Sequence, residues 1–296
     1  MLILDVQAPS TGQQFETTQF ILPEDPLIVV EPSKAWVAVN LRDLWNYREL
    51  LYFLAWRDLK VRYKQTVLGV LWVVMQPALM AIIITVFLGM VAKVPSMGHV
   101  PYGLFAYSGL VLWTFFSGAV MAGGQCLLGN AQLITKIYFP RLIIPCAVTA
   151  GRLIDLLIAF VVLTMLMAYY RIALSWSILL APLFVVLLVL LALGLSMLTS
   201  ALTVKYRDIG IALPVVIQLW MFVSPIVYPL NLVPGQWQRI YALNPLVGII
   251  EGFRSALFNR PLNRWALAAS VVVTTVLLVY SAFAFRRVEK CFADLV

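Results

Sequence analysis

Few side chains in this sequence are equipped for catalysis. There is one histidine, His99, which excludes a zinc site built on histidines within one chain. The three cysteines, Cys126, Cys146 and Cys291, form no CxxC pair and are too few for a disulfide framework. No GxSxG or HExxH pattern occurs, and no glycine precedes a lysine, so the chain lacks a GxxxxGK[ST] nucleotide loop. The charged groups that stand out are two i, i+3 pairs in apolar surroundings, Arg152 with Asp155 and Glu251 with Arg254. That spacing puts both members on one helix face, where opposite charges meet. Such pairs break no bonds. They mark either a structural tie or the lining of a polar route, and both readings stand at this point.

The elements that carry these pairs follow from composition. Of 296 residues, 62% are hydrophobic and 11% are charged, against roughly 45–50% and about 25% in soluble domains. A soluble enzyme and a disordered chain are both excluded, leaving an all-α integral membrane protein. Long apolar runs, free of charge except for Arg152 and Asp155 in the third, predict six transmembrane helices, at about 67–91, 103–128, 142–169, 177–203, 209–229 and 266–285. An even number puts both termini on one side. With the N-terminus inside, fourteen Lys and Arg are cytoplasmic: Lys34, Arg42, Arg48, Arg57, Lys60, Arg62, Lys64, Lys136, Arg141, Lys205, Arg207, Arg286, Arg287 and Lys290. Six face out: Lys93, Arg171, Arg239, Arg254, Arg260 and Arg264. The positive-inside rule therefore places both ends in the cytoplasm. The net charge of +8 is largely topological, and no nucleic-acid partner is expected.

Residues 1–33 hold Asp5, Glu16, Glu24, Asp25 and Glu31 without Lys or Arg, the reverse of a signal peptide. They read as an irregular cytoplasmic tail. Residues 34–65 predict an amphipathic interface helix, capped at Asn40, with Leu41, Leu44, Trp45, Leu51, Tyr52, Ala55, Trp56, Leu59 and Tyr63 on one face. The domain of spans fills 66–290, and 291–296 form a short cytoplasmic end.

Two further segments are too short or too polar to span. In 129-GNAQLITKIYFPR-141, Asn130 predicts the cap of a short helix over 131–138 that Pro140 ends. Held out from the membrane, it suits docking to another subunit. The stretch 240–262 contains 245-PLVGIIEGFRSALF-258, with Asn244 as cap, Pro245 at the first helical position and a Gly248/Gly252 GxxxG pair. It reads as short re-entrant helices before the last span, either a lid or gate on a pathway or a passive loop. Arg152 lies eleven residues beyond Arg141, about 16 Å along a helix and near mid-membrane. Membrane lipids and such a charge are incompatible unless protein or water surrounds it. Trp72, Tyr107, Trp113, Phe115, Phe116, Trp220, Phe222 and Tyr228 are either ordinary packing residues or apolar surfaces along a conduit for sugar rings. Without a nucleotide loop, ATP-driven transport requires an ATPase in trans. With Asp155 and Glu251 as the only plausible membrane carboxylates, proton coupling is disfavoured.

Five runs in order resemble the ABC-2 type permeases that export polysaccharides: 57-RDLKVRYKQTVLGVLWVVMQP-77, 129-GNAQLITKIYFPR-141, 204-VKYRDI-209, 218-QLWMFVSPIVYP-229 and 243-LNPLVGIIEGFR-254. The resemblance covers about 34–290. It implies a homodimer with two separate ATP-binding subunits, in the bacterial inner membrane, with no cofactor on this chain because ATP and Mg belong to the partner. It implies that Asn130, Leu133, Ile134, Lys136, Tyr138, Phe139 and Arg141 form the ATPase-coupling helix. The cargo implied is a lipid-linked glycan, with Arg57, Lys60, Arg62 and Lys64 at the cytoplasmic mouth to meet its anionic headgroup or simply to set topology. Asn244, Pro245, Gly248, Glu251, Gly252 and Arg254 would belong to the outer gate, and the aromatics would line the route. The alternatives are an exporter of a small amphiphile and a membrane enzyme acting on lipid-linked sugars.

Overall fold

Every regular element among the described residues is helical, as the absence of period-two patterning requires. The computed structural model describes residues 45–289 except 65–68, 97, 99, 138, 173 and 174. The tail over 1–33, the cap at Asn40, the 291–296 end, His99, Tyr138 and Cys291 lie outside the described residues.

Helix α1 spans Arg48–Lys64. Helix α2, Leu71–Ile84, continues through π-helical turns over Thr85–Val91. Helix α3 is Tyr102–Gly129, α4 is Ala131–Lys136 and α5 is Ile143–Tyr169. A 3-10 turn at Trp176–Leu180 leads into α6, Ala181–Lys205, and α7 is Asp208–Phe222. Helices α8 (Gly235–Tyr241), α9 (Pro245–Phe258) and α10 (Arg264–Glu289) complete the chain.

Five of these helices are long and apolar enough to cross a membrane: α2 with its π turns, α3, α5, α6 with its leading turn, and α10. The sixth expected span differs. The sequence predicts 209–229 as one crossing helix, but α7 has 15 residues, about 22 Å of rise against a hydrocarbon core of about 30 Å. Residues 223–229 are turns. Pro225 and Pro229 have no N–H to continue the ladder, and the carbonyls of the broken segment find other donors. The Tyr228 hydroxyl donates to Phe222 O at 3.0 Å, Asn244 Nδ2 to Val223 O at 3.1 Å, and Tyr102 to Val227 O at 2.5 Å. Arg254 donates to Pro225 O and Ile226 O, each at 2.6 Å. Unwound backbone at membrane depth is tolerated when protein satisfies it in this way.

Helix α3 is the centre of the bundle, packed against α5 and α6, and α6 in turn packs on α10. The apolar residues of α3 lie all round the helix, and most of them are buried. Helices α2 and α7 sit at the periphery and present broad apolar faces outward, including Ile82, Phe87, Ile211, Val215 and Leu219. The chain turns at two ends. One gathers α4 and the end of α10, where Arg141 donates from its backbone to Glu289 Oε1 at 3.3 Å and from its guanidinium to Glu289 O at 2.7 Å. The opposite end gathers the start of α6 and the end of α9, where Ser177 reaches Asn259 at 3.4 Å.

Candidate functional site

At the first end, α4 is a helix of six residues whose outer side is exposed. Ile134 and Phe139 turn inward and are buried against Leu142, Ile143 and Val204. Gln132, Thr135, Lys136 and Ile137 face out, with Ile137 56% exposed. The set expected from the sequence is thus divided: Ile134 and Phe139 anchor the loop, Leu133 is half-buried, Lys136 projects, and Arg141 ties to α10. Ile137, not singled out from sequence, is the exposed apolar residue. Asn130 also departs from expectation. Its side chain does not cap α4, because its Oδ1 accepts from Arg57 Nη2 at 2.7 Å while its Nδ2 donates to Cys126 O at 2.8 Å. Arg57 in turn pairs with Asp58 at 2.9 Å. Two residues assigned to separate tasks therefore join α1 to α4.

Helix α1 packs on α5 through Tyr47, Leu50, Leu51, Leu54 and Ala55. Of the apolar face expected from the sequence, Leu51 and Ala55 pack inward while Tyr52 and Trp56 are 68% and 44% exposed, with ring centroids 6.4 Å apart and nearly parallel. Apolar residues run round more than one side of α1, and contact with α5 selects the Leu54 side. From Ala55 to Arg62 α1 advances about 10 Å, while its contacts on α5 move from Gly151 to Asp155, about 6 Å. The two helices run side by side from Gly151 to Asp155, with the Arg62 side chain bridging the remaining offset.

The expected Arg152–Asp155 pair forms, at 3.5 Å, but Asp155 has nearer partners. Arg62 Nη1 donates to it at 2.6 Å, and the Tyr63 hydroxyl also donates to it. Burial, together with that hydrogen bond, pushes the Tyr63 hydroxyl up to about 12, so it remains a donor. Arg62, expected among the basic residues at the mouth, is held inward, whereas Lys60 and Lys64 stay exposed. These groups border a cavity of about 170 Å³ lined also by Gly69, Trp72 and Val73 from the start of α2 and by Phe115. The first turn of α2 therefore stands level with Arg152, which is about 14 Å along α5.

The aromatics expected along a conduit separate into two groups. Tyr107, Trp113, Phe115 and Phe116 are buried in the bundle. Tyr107 donates to Ala159 O at 3.4 Å, and Phe116 meets Trp220 edge-on at 5.5 Å. Tyr107 and Phe116 are sealed by the chain's own side chains, so they line no surface in this conformation. Phe115 borders the cavity. Trp72 and Phe222 are exposed, at 51% and 60%. Tyr228 is half-buried and bonds Tyr241 at 2.8 Å.

At the opposite end, Asn244 caps α9 as expected, accepting from Leu246 N at 3.1 Å. It also accepts from Trp220 Nε1 at 3.1 Å and donates to Ser224 Oγ at 3.0 Å, which locks the end of α7 to the start of α9. All of α9 from Pro245 to Phe258 is buried. A Cβ on Gly248 would lie 2.2 Å from Ala266 O of α10, and one on Gly252 would lie 2.1 Å from the Phe184 ring of α6. The glycines thus permit close approach on two sides of the helix. Arg254 is fully buried. Beyond its two carbonyl bonds to the broken segment, it donates to Phe105 O at 3.1 Å and Ser108 Oγ at 3.3 Å, and lies 3.7 Å over the Phe105 ring. Its contact with Glu251 is longer, 3.5 Å. As a unit, α9 is a wedge fixed within the chain; α8 and residues 259–265 are exposed at this end.

A family model described as ABC-2 type transporter matches residues 49–258. The O-antigen export system permease protein RfbA of Myxococcus xanthus is 28% identical over 257 residues, 86% of this chain and 98% of that relative. The Klebsiella pneumoniae protein of the same name is 29% identical over 252 residues, 83% and 95% of the two chains. The polysialic acid transport protein KpsM of Escherichia coli is 22% identical over 246 residues, 79% and 91%. The family match runs from the first turn of α1 to the last residue of α9, and the chain belongs to the ABC-2 type transporter family, as a multi-pass membrane permease.

Proposed function

We propose that this chain is the transmembrane permease of an ATP-driven exporter that carries a lipid-linked polysaccharide, O-antigen-like or capsular, outward across the bacterial inner membrane. The observation that carries this reading is alignment of nearly the whole membrane domain with permeases named for O-antigen export and polysialic acid transport. The chain works as a homodimer with two ATP-binding subunits, which hold the nucleotide that this sequence has no loop to bind. The outward apolar faces of α2 and α7 support a seam with a second copy. The exposed side of α4 supports docking of the ATP-binding subunit, with the α4 end in the cytoplasm. Nucleotide-driven movement then reaches α1 through Arg57 and Asn130, and the glycan passes between the two copies.

Deletion of the gene tests the reading. Lipid-linked glycan is expected to accumulate inside the cell and to vanish from the surface. Restoration should require this chain together with an ATP-binding subunit able to hydrolyse ATP. Unchanged surface polymer in the deletion strain would overturn the assignment.

A further inference from the structure

The cavity between α1, α2, α3 and α5 has a volume of about 170 Å³, equal to that of about five or six waters in the liquid. That is too small for a sugar chain and large enough for an ionic group. Two guanidinium groups, Arg62 and Arg152, border it with one carboxylate, Asp155, leaving one positive charge in excess. Arg152 Nε is buried and meets no hydrogen-bond partner. A buried donor of this kind calls for an acceptor, and a guanidinium is the side chain best shaped to hold phosphate oxygens. Gln76 adds an amide to the lining. Trp72, half-exposed in the first turn of α2, brings the cavity to the chain's surface.

We propose that this cavity is an oxyanion site for a phosphate ester, gripped by Arg152 and Arg62, and that its occupant is the diphosphate joining the cargo to its lipid. The proposal rests on the lipid-linked cargo given under the proposed function. Asp155 has an opposing role. It holds Arg62 and Arg152 in place when the site is empty and competes with the anion for them.

The test uses the permease with its ATP-binding subunits in phosphatidylcholine nanodiscs, titrated calorimetrically with farnesyl diphosphate, inorganic diphosphate or phosphatidylglycerol. Farnesyl diphosphate is expected to bind best, with Arg152→Gln weakening it about tenfold and Asp155→Asn tightening it. Misfolding would weaken binding in both variants, so opposite signs separate the site from a folding defect. Equal affinity in Arg152→Gln and the natural chain, weakening in both variants, or no binding of any probe would overturn the proposal. Phosphatidylglycerol binding as well as farnesyl diphosphate would overturn the cargo assignment. Failure of the site while the deletion strain still accumulates glycan would sink this proposal and leave the transport reading standing.

Discussion

Arg254 is the residue on which the opposite end depends. Its guanidinium satisfies two carbonyls of the segment after α7 and reaches Phe105 O and Ser108 of α3. Removing it strands those acceptors and leaves Glu251 buried without its cation. Arg254→Ala should therefore lower stability by about 3–5 kcal/mol, the cost of breaking a buried charged network, read as lost abundance and a lower unfolding midpoint of the purified permease. Arg254→Lys should rescue little, because an ammonium lacks the planar fork that reaches several carbonyls at once. From sequence, the i, i+3 spacing with Glu251 was visible and is present at 3.5 Å. The stronger bonds, to residues 28 to 149 positions away, leave no local trace. Arg62 repeats the lesson: its short contact with Asp155 crosses 93 residues, so charge and position alone placed it among the exposed bases.

Elements were legible where hydrophobic length decides them and misread where a helix breaks or turns a face. The five long helices match the long apolar runs. The 209–229 run, equally apolar, stops at Phe222 because side chains from α3 and α9 stand ready to satisfy the carbonyls of the segment that Pro225 and Pro229 break. In α4 the residue types suggested docking, but the inner and outer sides emerge only once the loop is folded. That division yields a paired prediction. Ile137→Asp, on the exposed side, should leave the permease at normal abundance and abolish co-purification of the ATP-binding subunit. Ile134→Asp should deplete the permease itself, since a carboxylate would enter the cluster with Phe139 and Leu142. Retained association in Ile137→Asp would count against the docking surface. In α9, Gly248→Val must push α9 from the α10 backbone, costing about 1–3 kcal/mol as overpacking does, measurable as a lower thermal midpoint.

At the scale of the molecule, the two ends differ in exposure as well as charge. The sequence assigned their sides by counting Lys and Arg, a rule that needs no contacts. In a cysteine-free background, Gln132→Cys on α4 should react with a membrane-impermeant maleimide only after the cells are opened. Gln236→Cys on α8 should react in intact spheroplasts, and the reverse pattern would invert the topology. What the sequence could not supply was the depth at which elements meet. The first turn of α2 meets Arg152 at one cavity, and no spacing along the chain encodes that meeting. The packing of Gly248 on Ala266 and Ser270 also bears on how the chain is made. One whole side of α9 has no seat until the helix translated after it has entered the bilayer. This end of the bundle therefore closes only once α10 is in place. Until that moment α9 is held on one side only, and with it the Arg254 guanidinium that satisfies Pro225 O and Ile226 O, so a chain halted before residue 270 would keep an unsettled α9.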